Sequence, residues 1–367
     1  MYDRSTPRTT AGALDWGREQ VLLRPRGIGK QIEVMNLPLD AKGAMAFYRI
    51  AGSDKFIFRE VPQNYLAIAV LHDSHEPCFE YLYSICMPED IRTADWETIG
   101  VEDPTVLEGD FSIHQDGFRS VVFSNVAKKP AGGGVMVKLS CCPLIGDPAS
   151  EEQLVFGPQC DVAAPDDLVG LRLLKVGPQG DLPYGDMIKE FSPIWADAES
   201  GRVTGVVEYT DNTPGRQDGA NMGFVVLKNG QLVAASPFRT FQEERATHVS
   251  TGGPAHLIGY SDTGEPLLLQ VYNRRRSLGY PEPGKQMVHW GGTYMVYRLE
   301  DGKPHPRSTY FHDTFILPAP VDSPPLGEQY INFVSYTELI DDGAGLRVFS
   351  HVGDLYPMVT EFDIERW

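Results

Sequence analysis

Glycine and proline interrupt this sequence so regularly that no long regular element fits between them. There are 37 Gly and 28 Pro in 367 residues, spread along the whole chain. The apolar runs left between the breaks are short and rich in Val, Ile, Phe and Tyr: residues 65–71, 79–86, 120–126, 135–139, 203–209, 224–227, 267–272, 294–299, 330–336 and 346–352. Short β-branched and aromatic runs bounded by turn formers read as strands. Helical periodicity is absent apart from residues 87–96, where a turn or two of helix fits. The expected fold class is all-β.

The number of strands narrows the architecture. About twenty short strands are too many for one sandwich, and one open sheet of that size leaves long exposed edges. Radial repetition solves both problems, as in a β-propeller built from four-stranded blades. A weak repeat sets the count. Four segments share a plan in which a strand carrying an acidic or hydroxyl residue beside Pro or Gly is answered by a second strand ending in polar residues. The pairs are residues 101–107 with 121–125, 189–195 with 206–212, 248–254 with 269–274, and 332–336 with 348–354. A less regular unit over residues 31–86 brings the expected number to five. The sequence therefore predicts a five-bladed β-propeller forming one domain over residues 15–367, after a polar tail at 1–14, with a loop at 318–325 before the last blade. None of the repeats has a WD, kelch or Asp-box signature.

Charge excludes several functions. Lys and Arg total 32 against 50 Asp and Glu, a net charge of −18, and the longest basic run is Arg274-Arg275-Arg276. A polyanion of this kind repels nucleic acid and acidic membranes. The expected partner is a small molecule or oligosaccharide. No apolar stretch approaches the roughly 18 residues that span a bilayer, and residues 1–10 lack the apolar block of a secretion signal. The cytoplasm is the expected compartment, although a chain whose signal peptide had been removed would read the same. The five cysteines form no CxxC and no zinc spacing, so neither a metal nor another cofactor is expected. Nothing in the sequence sets the oligomeric state.

In a propeller the first strand of each blade lines the central channel, so polar residues from separate blades converge there. Asp103 and Glu190 occupy equivalent points of two repeats. Two such carboxylates are what glycosidic bond cleavage requires, one as proton donor and one as base or nucleophile. Each also has a simpler reading: Asp103 before Pro104 as a turn initiator, and Glu190 as the salt-bridge partner of Lys189. Other candidates for contacting a ligand are Asp73, Glu102, Asn125, Asp211, His248, Arg274, Trp290, Tyr336 and Asp354. Asp73 lies in His72-Asp73-Ser74-His75-Glu76, whose alternation on a strand gives no clean ligand set, so a loop near the pocket is the better reading. Arg274 offers a planar fork of donors. Trp290 suits either a sugar face or a blade core.

The run Val101-Glu102-Asp103-Pro104-Thr105-Val106, with the strand ending Phe123-Ser124-Asn125, resembles the second-blade motif of five-bladed propeller glycosidases. That group includes arabinanases and xylosidases, fructosidases, and β-mannoside phosphorylases and hydrolases. Residues 349–354 are similar to the final-blade strand of the mannoside phosphorylases, and Phe156-Gly157-Pro158 followed by residues 186–190 resembles the passage from blade two to blade three. The resemblance implies a carbohydrate-active enzyme with carboxylate acid/base catalysis, hydrolytic or phosphorolytic. By analogy with the phosphorylases Asp103 is the proton donor. By analogy with the arabinanases Asp103 tunes the acid and Glu190 donates. The first-blade Asp-Pro of the arabinanases has no counterpart here, which leaves two alternatives open: a propeller that cyclises or isomerises a small natural product, and a non-catalytic glycan-binding propeller.

Overall fold

The computed structural model describes residues 21–366 apart from 38–45, 51–52, 61–63, 73–75, 87–91, 94–95, 114–118, 129–134, 149, 151, 164–186, 212–218, 238–248, 262, 280–285, 301–302, 313, 318–328 and 354–355. The fold is all-β. Two short strands, β1 (Val21–Pro25) and β2 (Lys30–Gln31), come first and are used by the last sheet. Next, β3 (Glu33–Met35), β4 (Phe47–Arg49), β5 (Lys55–Glu60), β6 (Tyr65–His72) and β7 (Cys78–Cys86) form a sheet in the order β3-β7-β6-β5-β4. A six-stranded sheet follows, from β8 (Arg92–Thr93), β9 (Trp96–Leu107), β10 (Ser120–Lys128), β11 (Val135–Ile145), β12 (Val155–Phe156) and β13 (Cys160–Ala163). The third sheet is a plain meander of β14 (Ile188–Asp197), β15 (Arg202–Asp211), β16 (Gly219–Lys228) and β17 (Gln231–Pro237).

The largest sheet contains two meanders. One is β18 (Val249–Thr251), β19 (His256–Tyr260), β20 (Pro266–Gly279), β21 (Gln286–Glu300) and β22 (Lys303–Phe311). The other is β23 (Gln329–Ile340), β24 (Gly345–Val352) and β25 (Tyr356–Arg366), completed by β1 and β2. A short parallel contact between β21 and β23 joins them. Local chemistry fixes the hairpins. At the β16–β17 connection Asn229 and Gly230 both have positive φ, 52° and 75°, as a tight two-residue turn between twisted strands requires.

The expected strands are all present, and most are longer than their apolar runs because polar residues continue the ladders. Of residues 87–96, where a helical turn fits the pattern, the described part is extended instead: 92–93 form β8, and β9 begins at 96. The reason is pairing, since Arg92 and Thr93 lie opposite Glu97 and Trp96 in a tight hairpin. The tail at 1–14 and the loop at 318–325 lie outside the described residues.

Five apolar clusters connect the meanders in a cycle. Ile57, Leu66 and Ile68 of the first pack on Val101, Val121 and Phe123 of the second. Leu107, Val122 and Leu139 meet Ile188, Phe191 and Val207 of the third. Ile194, Val206 and Met222 meet Leu268, Tyr272 and Met295 of the fourth. Leu269, Val271 and Tyr294 meet Val334, Leu346 and Val348 of the fifth. Phe349 then returns to Phe47, Phe56 and Phe79 of the first, closing the cycle. Burial of this kind contributes about 25 cal/mol per Å² of apolar surface removed from water, so each of the five contacts is a main source of stability.

Candidate functional site

Where the five meanders converge lies a pocket of about 270 Å³. Its wall is made largely by one strand of each meander, β4, β9, β14, β18 and β23, and the residues beside it. Ala46 and Tyr48 come from the first, Asp103 from the second, Lys189 and Glu190 from the third, Ser250 and Thr251 from the fourth, and Phe333, Val334 and Ser335 from the fifth. Neighbouring strands add Arg59, Glu208, Asn273, Trp290 and His351.

Asp103 and Glu190 are presented by the same local device. Each interrupts its ladder: the β9·β10 register shifts between Val122 and Ser124, opposite Asp103, and the β14·β15 register shifts between Lys189 and Ser192. Both residues have left-handed backbones, φ 47° at Asp103 and 56° at Glu190. A bulge re-aims a side chain out of the sheet, and here two bulges aim carboxylates at one space. Polar ties hold them. The Glu190 N–H donates to Ser124 Oγ at 3.1 Å, and Thr251 Oγ1 donates to the Glu190 carbonyl at 3.1 Å. Beside the bulge, Thr105 Oγ1 donates to the Phe191 carbonyl at 2.6 Å.

Two half-buried cations sit among the carboxylates. Arg59 Nη1 lies 3.2 Å from Glu102 Oε2 and 3.7 Å from Asp103 Oδ1. Lys189 Nζ lies 3.0 Å from Glu190 Oε1 and 3.6 Å from Glu208 Oε2. Burial works against the Lys189 ammonium, but the charges of Glu190, Glu208 and Asp103 outweigh it and hold the lysine well above its ordinary value. Burial pushes Glu208 well above the usual carboxylate range, with Lys189 opposing and Glu190 and Asp103 reinforcing the shift. Glu102 is raised by burial and by Asp103, against Arg59 and Lys189. Burial, then the Asp103 and Glu190 charges, keep the Tyr48 phenol protonated far past its normal range.

Part of the wall is aromatic. The Trp290 and Phe333 rings are 4.9 Å apart, and Phe333 stacks on His351 at 5.5 Å. Trp290 is therefore on the pocket wall, in contact with a ring of the neighbouring meander.

The structure brings Asp103, Glu190 and Trp290 into this pocket. Glu102 stands immediately behind Asp103, accepting from Asn64 Nδ2 at 2.6 Å. Tyr336 is one layer out, against Tyr48 and Phe349 with ring centroids 6.2 and 6.1 Å away. Asn125 is fully buried elsewhere on its strand, accepting from Thr98 Oγ1 at 3.0 Å and donating to Ser140 Oγ at 3.2 Å. Arg274 lies within β20, opposite Gly291 and Val249, and is not among the pocket-lining residues. Asp73, His248 and Asp354 lie outside the described residues, as does the side chain of Asp211. Sequence reasoning missed Arg59, Tyr48 and Glu208 as site residues. Only Glu208 left a signal: a lone acid inside the apolar run Val206-Val207-Glu208-Tyr209.

Among the described residues no group of three or more His, Cys, Asp or Glu side chains could hold a metal ion. No helix among the described residues is long and apolar enough to cross a membrane.

No family model and no curated protein matches the sequence. Solved structures do match in fold. A protein described as a glycoside hydrolase superposes with a TM-score of 0.51 at 10% identity, over 92% of this chain and 92% of that one. A GDP-Man-dependent mannosyltransferase from Leishmania mexicana matches at TM-score 0.49 and 13% identity, over 93% of this chain and 89% of its own. An alpha-L-arabinofuranosidase from Lactobacillus brevis matches at 0.47 and 10%, over 88% and 91%.

Proposed function

We propose that the chain is a five-bladed β-propeller, one domain over residues 15–367, and a carbohydrate-active enzyme that cleaves or transfers a glycosidic bond in its central pocket. The cycle of five apolar contacts supports the architecture, and the fold shared with a glycoside hydrolase is consistent with it. The observation that carries the function is the convergence of Asp103 and Glu190, from matched bulges of adjacent meanders, on one pocket wall. They serve as the acid/base pair across the scissile bond, and the Trp290–Phe333 wall supplies a face on which a pyranose ring stacks.

Charge points to the co-substrate. The pocket's cations, Arg59 and Lys189, are each already engaged by carboxylates. An attacking phosphate would meet the carboxylates of Asp103 and Glu190 without an uncommitted cation among the described lining residues, so water or a sugar hydroxyl is the preferred acceptor. Carboxylates and cations outweigh the aromatic wall, which favours glycoside chemistry over cyclisation of an apolar product.

The test is turnover of a panel of aryl glycosides, with and without inorganic phosphate. Asp103→Asn and Glu190→Gln are each expected to lower kcat by about 10²–10⁴-fold with little change in ligand binding, and phosphate to leave the rate unaltered. Undiminished turnover in both variants would remove the assignment.

A further inference from the structure

A two-carboxylate mechanism has no use for Glu208, yet the fold places it on the pocket wall with only 5% of its surface exposed. The β14·β15 register sets Glu208 directly opposite Lys189. The Lys189 ammonium bridges Glu190 Oε1 and Glu208 Oε2, at 3.0 and 3.6 Å. The other Glu190 oxygen accepts from the Thr251 N–H at 3.1 Å, so both oxygens of Glu190 already act as acceptors. Two carboxyl groups, Glu208 buried and Glu190 half-buried, that share a single ammonium resolve their repulsion by keeping one proton between them.

We propose that Glu208 is a positioning residue that forms an acid–carboxylate pair with Glu190 across Lys189 and supplies the proton that Glu190 passes to the departing oxygen. The buried Glu208 carboxyl, raised well above its ordinary range by burial and by the Glu190 and Asp103 charges against the opposing Lys189, fits this arrangement. The charged groups facing it are Lys189 and Glu190 from β14 and Asp103 from β9, with Arg59, Glu102 and Tyr48 beyond Asp103. The step balances. Glu208 gives its proton to Glu190, and Glu190 gives one to the glycosidic oxygen as the bond to the anomeric carbon breaks and its electron pair stays on that oxygen. The attacking hydroxyl forms the new bond and loses its proton to Asp103; Asp103 then releases that proton to solvent, and solvent returns one to Glu208.

The catalytic half of this proposal rests on the glycosidase reading; the proton-sharing half does not, and the two are read separately. Difference infrared spectra of the whole protein at neutral pH should contain a protonated carboxyl band that Glu208→Gln lacks. In Glu190→Gln, whose partner is neutral, the same band should titrate away at lower pH. The kcat of Glu208→Gln should fall at least ~10-fold with KM changed far less, its alkaline limb displaced, and Glu208→Asp should restore part of both. A wild-type spectrum without the band, or a band retained in Glu208→Gln, overturns the proposal. The expected bands in a protein that turns over no glycoside uphold the pair and overturn the glycosidase reading instead.

Discussion

Asp103 and Glu190 hold backbone conformations that side-chain-bearing residues adopt at a cost, and both aim into the pocket. Strain of this kind persists where the surrounding structure enforces it; here the ties from Thr105, Ser124 and Thr251 do so. The neighbouring buried acids make stability depend on pH in a definite sense. Glu208 and Glu102 hold their protons more tightly folded than unfolded, so the stability they contribute is full below the ordinary value of 4.5 and is lost as pH rises through their folded values. Denaturant melts of wild type and Glu208→Gln should therefore differ most in favour of wild type near pH 4.5 and converge or invert toward alkaline pH. A difference that grows with pH would contradict the shift. Asp103 and Glu190 were legible in the sequence because the repeat marks them. Glu208 was not, because its meeting with Lys189 depends on the hairpin register, and Asn125 misled because a polar strand end can pair inside its own sheet.

The β14–β15 hairpin shows how an element serves the site. Glu190 can bulge only if Phe191, the next residue, has somewhere to go, and Gly205 across the hairpin provides that room. A Cβ at Gly205 would lie 2.4 and 2.5 Å from the Phe191 ring and 2.9 Å from the Ser192 carbonyl. Gly205→Ala is thus expected to cost about 1–3 kcal/mol and to lower kcat by displacing Glu190. Chemical denaturation and turnover measured together check this, and a variant with wild-type values for both would show that the contact relaxes freely. The strands themselves were readable from their β-branched runs, whereas their ends were not. β20 runs to Gly279 through Arg274, Arg275 and Arg276 because its long partner β21 offers ladder bonds that polarity alone does not reveal.

At the scale of the whole molecule, β1 pairs with β25 from Val21↔Arg366 to Pro25↔Phe362, and β2 adds Lys30↔Val359. Val21 and Leu23 enter the apolar cluster of the last two meanders, and the Tyr294 hydroxyl donates to the Val21 carbonyl at 2.9 Å. Removing residues 1–31 should uncover the β25 edge and leave that hydroxyl without its acceptor, lowering Tm and promoting aggregation. Thermal melts and light scattering of the truncated chain would read both, and a soluble truncation melting like the intact chain would refute it. Which strand completes the last meander depends on a pairing between residues more than 300 positions apart, which no local pattern encodes.

This same pairing sets an order on synthesis. β1 has no partner until the ribosome has delivered β25, more than 300 residues later, so it must wait, unpaired and apolar, while the intervening meanders are made. The earlier meanders can assemble on one another as they emerge, but the pocket they surround lacks the wall formed by Phe333, Val334, Ser335 and His351 until the last meander is made.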